Sequence, residues 1–238
     1  MPEPQHIKAK KDEIAERVII SGDPARVTQL SNSMRNSRVV NESRGFLTYT
    51  GEYKGRRFTV ACHGVGGPSA AIVVEELIML GAKAIVRLGT CGGLMKPMRI
   101  GDLVIATSAG YLGGTLDYYF KDTKATPKPD PQLTNLIVDS AKGEDIKYYA
   151  GPVFSSDAFY AEDSSFVSRL AGSGYMAVEM ECATIFGLGM LRKVKTASAL
   201  LVSDNLCEAQ PMANAEALKE HVERAGRIVF KSLIQAQV

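Results

Sequence analysis

The chain repeats a local pattern in which a short apolar strand runs into a glycine-rich turn and a helix follows. Three such strands are Arg17–Ser21, Ala84–Leu88 and Thr196–Ser203, all rich in Val, Ile and Ala. Apolar strands separated by helices indicate an α/β sheet covered by helices on both faces. At 238 residues the chain has the length of one large α/β domain.

Three further segments complete the predicted layout. Phe46–Tyr53 and Arg56–His63 have the alternation of a hairpin joined at Lys54-Gly55. The stretch 113–131, rich in Gly, Pro, Asp and Lys, predicts a long surface loop. The pattern over 214–235 predicts an amphipathic closing helix.

Charge and hydropathy argue against several classes of function. The net charge is +2 and the basic residues are scattered, so we expect no nucleic-acid partner. No apolar run approaches the ~20 residues of a membrane span, and the polar first residues predict no signal peptide, so we expect a cytoplasmic protein. The four cysteines are far apart in sequence, which predicts reduced thiols and no metal site.

Three arginines stand beside glycines near predicted strand ends. Arg26 ends the segment Gly22-Asp23-Pro24-Ala25-Arg26, Arg87 and Thr90 lie in RLGTCGG, and Arg44 precedes Gly45. A planar guanidinium suits phosphate because it can bind two oxygens at once. Taken singly, each arginine is equally consistent with an ordinary ion pair, a buried one in the case of Arg87.

Acidic residues mark two more junctions. Glu179 and Glu181 flank Met180 where a strand meets a helix. Glu181 can accept hydrogen bonds from two adjacent hydroxyls such as those of ribose, and stabilisation of the helix start is the alternative, which suits Glu179 about as well. Asp204 follows Ser203 at the end of an apolar strand, where it is a cap or a catalytic acid. His6 and His63 have no metal-ligand spacing, and structural or solvated histidines are the commoner case.

Six motifs occur in an order that resembles the purine nucleoside phosphorylase and uridine phosphorylase family, in its hexameric branch. They are GDPAR at 22–26, NESRG at 41–45, RLGTCGG at 87–93, SSDAFY at 155–160, VEMECA at 178–183 and VSDN at 202–205. The resemblance runs over nearly the whole chain. It implies one domain over 1–238, with a central mixed twisted sheet flanked by helices on both faces.

The resemblance also implies phosphorolysis of purine nucleosides, with inorganic phosphate as co-substrate and no cofactor. Residues implied to bind phosphate are Gly22, Arg26, Arg44, Arg87 and Thr90. Residues implied to bind ribose are His6, Met180 and Glu181, and those implied at the base are Phe159, Val178, Ser203 and the catalytic Asp204. A homohexamer built as a trimer of dimers is implied, in which His6 and Arg44 complete the site of a neighbouring subunit.

Purine specificity rests on two departures from uridine-specific relatives. The glutamine and arginine that read uracil are replaced within Ala161–Ser165, and the Ser203-Asp204 pair is present. Ala217 stands where bacterial purine enzymes often carry an arginine, which leaves open how Asp204 obtains its proton and whether 6-oxo or 6-amino purines are preferred. Four alternatives remain: 5′-methylthioadenosine as the main substrate, a uridine phosphorylase, a nucleosidase that uses water, and a non-enzymatic nucleoside-binding protein.

Overall fold

The computed structural model describes residues 3–121 and 126–238. These residues form nine strands: β1 (Arg17–Ser21), β2 (Arg35–Asn41), β3 (Thr48–Tyr53), β4 (Arg56–Cys62), β5 (Ala84–Gly93), β6 (Leu103–Tyr111), β7 (Tyr148–Ser155), β8 (Ala177–Glu179) and β9 (Lys195–Asn205). They also form seven α-helices: α1 (Pro24–Ser31), α2 (Gly67–Met79), α3 (Thr115–Phe120), α4 (Pro131–Lys142), α5 (Ser164–Gly172), α6 (Cys182–Arg192) and α7 (Ala215–Gln235).

The strands make one mixed sheet in the order β2-β3-β4-β1-β5-β8-β7-β6-β9. β1 pairs in parallel with β4 and β5, whereas β3 is antiparallel to both β2 and β4. β9 pairs with β5 as well as with β6, so the second half of the sheet closes on itself. The α/β class and the mixed sheet are confirmed; the closure was not expected from the sequence.

The two faces of the sheet are covered by different helices. In β1, Val18 and Ile20 pack into the core cluster that contains α2 and α6. Ile19, between them, packs into the cluster that contains α1, α4 and α7. Alternate residues of a strand point to opposite faces, which explains why a continuous apolar run is needed here. The prediction of helices on both faces is therefore confirmed.

The turns and helix caps predicted from local sequence are present in the structure. The hairpin of β3 and β4 turns at Lys54 and Gly55, both with positive φ. The Asp23 side chain accepts a hydrogen bond from the Ala25 N–H at 2.8 Å, and Pro24 occupies the first turn of α1. Asn214 caps α7 in the same way by accepting from the Ala217 N–H.

Two regions differ from the expectation. β2 was not predicted, since RNSRVVN lacks an apolar alternation and most of its residues are exposed. The predicted loop 113–131 contains α3 because Leu116 is buried against Gly187 of α6, a tertiary contact that the local sequence does not reveal. Within that loop, residues 122–125 lie outside the described residues. In the part of the chain that the structure describes, no helix has the length and hydropathy needed to cross a membrane.

Candidate active site

A cavity of about 500 Å³ opens where β1, β4, β5, β8 and β9 end in loops. Ligand sites of α/β sheets lie at such strand ends because the loops there leave side chains and N–H groups unpaired. Ten of the residues predicted from sequence line this cavity together: Gly22, Arg26, Thr90, Arg87, Phe159, Val178, Met180, Glu181, Ser203 and Asp204.

Arg26 reaches the cavity because Asp23 and Pro24 start α1 directly after β1. Its Nη1 donates to the Ser21 hydroxyl at 3.2 Å and to the Leu88 carbonyl at 3.4 Å. Burial lowers the pKa of Arg26, Asp23 opposes this, and the nearby Arg87 lowers it further. An anion placed between the two arginines would relieve both the desolvation and the mutual repulsion.

Gly22 allows the turn after β1 to lie against the loop after β4. A methyl group at this position would come within 2.8 Å of the Gly64 carbonyl oxygen. The close approach leaves the backbone of Gly22 exposed to the cavity, with the start of α1 beside it. Free N–H groups at a helix start favour anions.

Arg87 is buried inside β5, with a side-chain exposure of 6%. Its Nη2 donates to Glu181, and its Nη1 lies 3.4 Å from Glu179. Burial by itself lowers the pKa of Arg87, but the carboxylates of Glu181 and Glu179 outweigh it and hold the pKa above its usual range. Its Nε and Nη1 are buried and have no hydrogen-bond partner among the described residues.

The two glutamates around Met180 have different tasks. Glu179 accepts from the N–H groups of Glu181 and Cys182, both at 2.9 Å, and from the Ser155 hydroxyl at 2.5 Å. The oxygens of Glu179 therefore accept hydrogen bonds at the start of α6 and stabilise this helix. The sequence allowed this role for either glutamate.

Both glutamates line the cavity, but the side chain of Glu179 is fully buried, whereas that of Glu181 is 5% exposed. Glu181 accepts from the Gly66 N–H at 2.7 Å and from Arg87. Burial raises the pKa of Glu181, but Arg87 and the hydrogen bonds bring it below its ordinary value, so the carboxylate is ionised. An ionised carboxylate held in this way has lone pairs left for two neighbouring hydroxyls.

Asp204 is the penultimate residue of β9, with 9% of its surface exposed. The Ser203 hydroxyl lies 2.6 Å from Asp204 Oδ1 and 3.2 Å from the Cys91 carbonyl. Burial raises the pKa of Asp204, and the hydrogen bond from Ser203 offsets part of that effect. A carboxyl with a raised pKa holds a proton more readily, which is the property needed in a general acid.

Several residues of the cavity were missed by the sequence reasoning. Glu162 lines it beside Asp204; burial raises the pKa of Glu162, Ser156 lowers it and Asp204 raises it. Leu206 and Met212 come from the segment after VSDN and also line it. The only sequence signal for these residues was their position within or next to the motifs.

Two other positions bear on the expectations. Ala217 lies in the first turn of α7 and is absent from the lining of the cavity, so it brings no side chain to Asp204. His63 is fully buried beside Gly22, and burial lowers its pKa to about 4. A neutral buried imidazole agrees with the structural interpretation of His63.

His6 and Arg44 do not line the cavity of their own chain. His6 Nδ1 lies 2.7 Å from Glu76 Oε1, on α2. Arg44 is exposed in a short turn, with φ of 56°. The roles that the resemblance implies for these two residues, in the site of a neighbouring subunit, stay predictions.

Comparisons with known proteins agree with this geometry. The family model described as "Phosphorylase superfamily" matches residues 16–235. A guanosine phosphorylase of Halorubrum lacusprofundi is 33% identical over 239 residues, covering 98% of this chain and 99% of that protein. A DeoD-type purine nucleoside phosphorylase of Roseobacter denitrificans is 34% identical over 215 residues, covering 89% of this chain and 92% of that protein.

The chain is also similar to a solved structure, that of uridine phosphorylase from Vibrio fischeri ES114. The TM-score is 0.86 at 26% sequence identity, and the match covers 98% of this chain and 96% of the other. The similarity therefore extends over the whole sheet and its helices.

Proposed function

This chain belongs to the phosphorylase superfamily, and on that premise we propose that it is a purine nucleoside phosphorylase. Such an enzyme is a pentosyltransferase: it moves the sugar of a purine nucleoside to inorganic phosphate and releases the base. The observation that carries the proposal is the meeting of Arg26 and Arg87, Glu181, and Asp204 in one cavity. Each of these groups suits one part of the substrates: phosphate, ribose and base.

Phosphate is proposed to bind against Gly22, Arg26, Arg87 and Thr90. The two guanidinium groups position it as nucleophile below C1′ of the nucleoside, where its charge also stabilises the positive charge that develops on the sugar. The position of Arg26 and Arg87 in the lining of one cavity supports this role.

Ribose is proposed to bind through Glu181, with Met180 packing against the sugar. Glu181 is ionised and oriented by Gly66 and Arg87, so it can accept from the 2′ and 3′ hydroxyls at once. This arrangement links the proposed ribose and phosphate sites, because Arg87 donates a hydrogen bond to Glu181.

The base is proposed to pack between Phe159 and Val178, with Asp204 at N7. As the glycosidic bond breaks, Asp204 donates or shares a proton there, which makes the purine a neutral leaving group. Burial supports this role by raising the pKa of Asp204, and Ser203 orients the carboxyl. General acid catalysis of this kind is worth roughly 10² to 10⁴ in rate.

The site is proposed to be completed by a neighbouring subunit in a hexamer. Neither His6 nor Arg44 lines the cavity of its own chain, and both lie on the surface, where a second copy can use them. His6 would meet the 5′ position of the nucleoside, and Arg44 would meet the phosphate.

A second candidate substrate is 5′-methylthioadenosine. Val65 lines the cavity, is 71% exposed and offers an apolar surface suited to a thiomethyl group. The two substrates share the same phosphate, ribose and base contacts, so the alternative changes the preferred nucleoside and not the reaction.

The test is to incubate the protein with inosine, adenosine, 5′-methylthioadenosine and uridine, with and without phosphate, and to follow free base by chromatography. We expect purine release that requires phosphate, and little release of uracil. Release of equal size without phosphate would make the protein a nucleosidase and refute the assignment of Arg26 and Arg87.

A further inference from the structure

Glu76 is an acid on α2 with only 6% of its surface exposed, and it does not line the cavity. Its carboxylate accepts from three consecutive backbone N–H groups: those of Gln5 at 2.9 Å, His6 at 2.9 Å and Ile7 at 2.6 Å. One side chain thus holds the segment 5–7 against α2.

The same carboxylate determines which nitrogen of His6 carries the proton. Burial raises the pKa of Glu76, but the Ile7 N–H, the His6 side chain and further N–H groups bring it below its ordinary value. The group is therefore an ionised acceptor, and His6 Nδ1, 2.7 Å away, must donate to it. In the neutral ring, Nε2 is then left as a lone-pair acceptor.

His6 and the turn that carries Arg44 belong to one surface. The Lys8 N–H donates to Asn41 Oδ1 at 2.9 Å, and the Asn41 amide donates to the Phe46 carbonyl at 2.7 Å. The rings of His6 and Phe46 pack in a T-shaped arrangement, with centroids 6.4 Å apart. The side chain of His6 is 26% exposed and so remains accessible from outside the chain.

We propose that Glu76 is a positioning residue for the nucleoside site: it holds residues 5–7 and presents His6 Nε2 as the acceptor for a 5′-hydroxyl bound in the neighbouring subunit. The inference rests on the proposed function. It names the feature of the substrate that Glu76 controls, namely a hydrogen-bond donor at the 5′ position.

The test compares inosine with 5′-deoxyinosine, which lacks that donor. In the wild-type protein, kcat/KM for inosine should exceed that for 5′-deoxyinosine by about tenfold, the size of one net hydrogen bond. In Glu76→Gln the amide cannot accept from all of these donors, so kcat/KM for inosine should fall by about tenfold. The value for 5′-deoxyinosine should stay within about twofold, since its binding does not use the acceptor.

The adjacent Glu75 provides a matched control. Glu75 lies on α2 beside Glu76, but its carboxylate pairs with Arg192 at the end of α6 and has no hydrogen bond to residues 5–7, so Glu75→Gln should keep the preference for inosine. A double variant His6→Ala, Glu76→Gln should be no worse on inosine than His6→Ala, because both changes remove the same interaction. Glu76→Asp, which keeps the charge but withdraws the carboxylate, provides the same comparison if the glutamine variant does not fold.

Three outcomes would overturn the inference. If the variants at Glu76 keep the wild-type ratio between the two substrates, Glu76 does not control the 5′ contact. An equal loss on both substrates would make Glu76 a purely structural residue. A wild-type protein that shows no phosphate-dependent release from inosine refutes the proposed function itself, and with it this inference.

Discussion

Replacing Arg87 with methionine removes a cation that two buried glutamates share. The side chains of Arg87, Glu179 and Glu181 are 6%, 0% and 5% exposed, so solvent screens their interaction little. Removing one partner of a buried ion pair costs about 3–5 kcal/mol, because the remaining charge is left without compensation. For a chain of this length, that cost corresponds to a fall in Tm of roughly 10 °C.

The loss of thermal stability in Arg87→Met should increase as pH rises. In the wild type, Arg87 helps hold the pKa of Glu181 below its ordinary value, so this stabilisation is present above about pH 4 and lost on acidification. Without Arg87, burial dominates and raises the pKa of Glu181, so the variant loses stability as pH rises. The difference in Tm between the two proteins should therefore be largest near pH 8 and shrink toward pH 4.

Thermal unfolding followed by circular dichroism at several pH values measures the difference in Tm between wild type and Arg87→Met, and Arg192→Met is the control. Arg192 pairs with Glu75 at the surface, with 42% of its side chain exposed, and exposed pairs are worth about 1 kcal/mol or less. Phosphate KM for Arg87→Met should also rise by roughly 10- to 100-fold. A deficit no larger than that of Arg192→Met and independent of pH, with unchanged phosphate KM, would refute the reasoning.

Two other substitutions test the rest of the site. Asp204→Asn should lower turnover on inosine by about 10² to 10⁴ while phosphate KM stays within about twofold, as measured by steady-state kinetics. Because the pKa of Asp204 is raised, its charged form destabilises the fold as pH rises, so this variant should melt no lower than wild type at pH 7, and a lower Tm would contradict the burial argument. Gly22→Ala should raise phosphate KM about tenfold and lower Tm, since the new methyl group meets the Gly64 carbonyl oxygen at 2.8 Å. Gly172→Ala, at the end of α5 with no atom within 4 Å of the new methyl group, should melt within a few degrees of wild type, and equal losses in the two alanine variants would remove the steric explanation.

The structure separates residues whose role is local from those whose role depends on distant partners. Asp23 and Pro24 start α1, and Lys54-Gly55 forms the hairpin turn, as the sequence indicated. Capping and turn formation involve hydrogen bonds over two to four residues, so the residue types themselves are sufficient to predict them.

The contacts of Glu179 and Glu181 could not be derived from the sequence, although the motif order implied Glu181 at the ribose. Both glutamates stand at the same strand-to-helix junction, where either could stabilise the helix. Glu181 is oriented by Arg87 and Gly66, which lie 94 and 115 residues away in the chain, so no local signal reveals these contacts. Glu179 is engaged by Ser155, the neighbouring N–H groups and Arg87.

The sequence by itself determined the α/β class, the glycine turns at strand ends and most of the residues that meet in the cavity, because periodicity and motif order are properties of short segments. The tertiary structure alone decided the closure of β5 onto β9, the formation of α3 and the entry of Glu162 into the cavity. It also decided that Glu76 holds the segment of His6. These features depend on which surfaces pack together. Packing brings together residues that are far apart in the chain, so no short segment of sequence predicts these contacts.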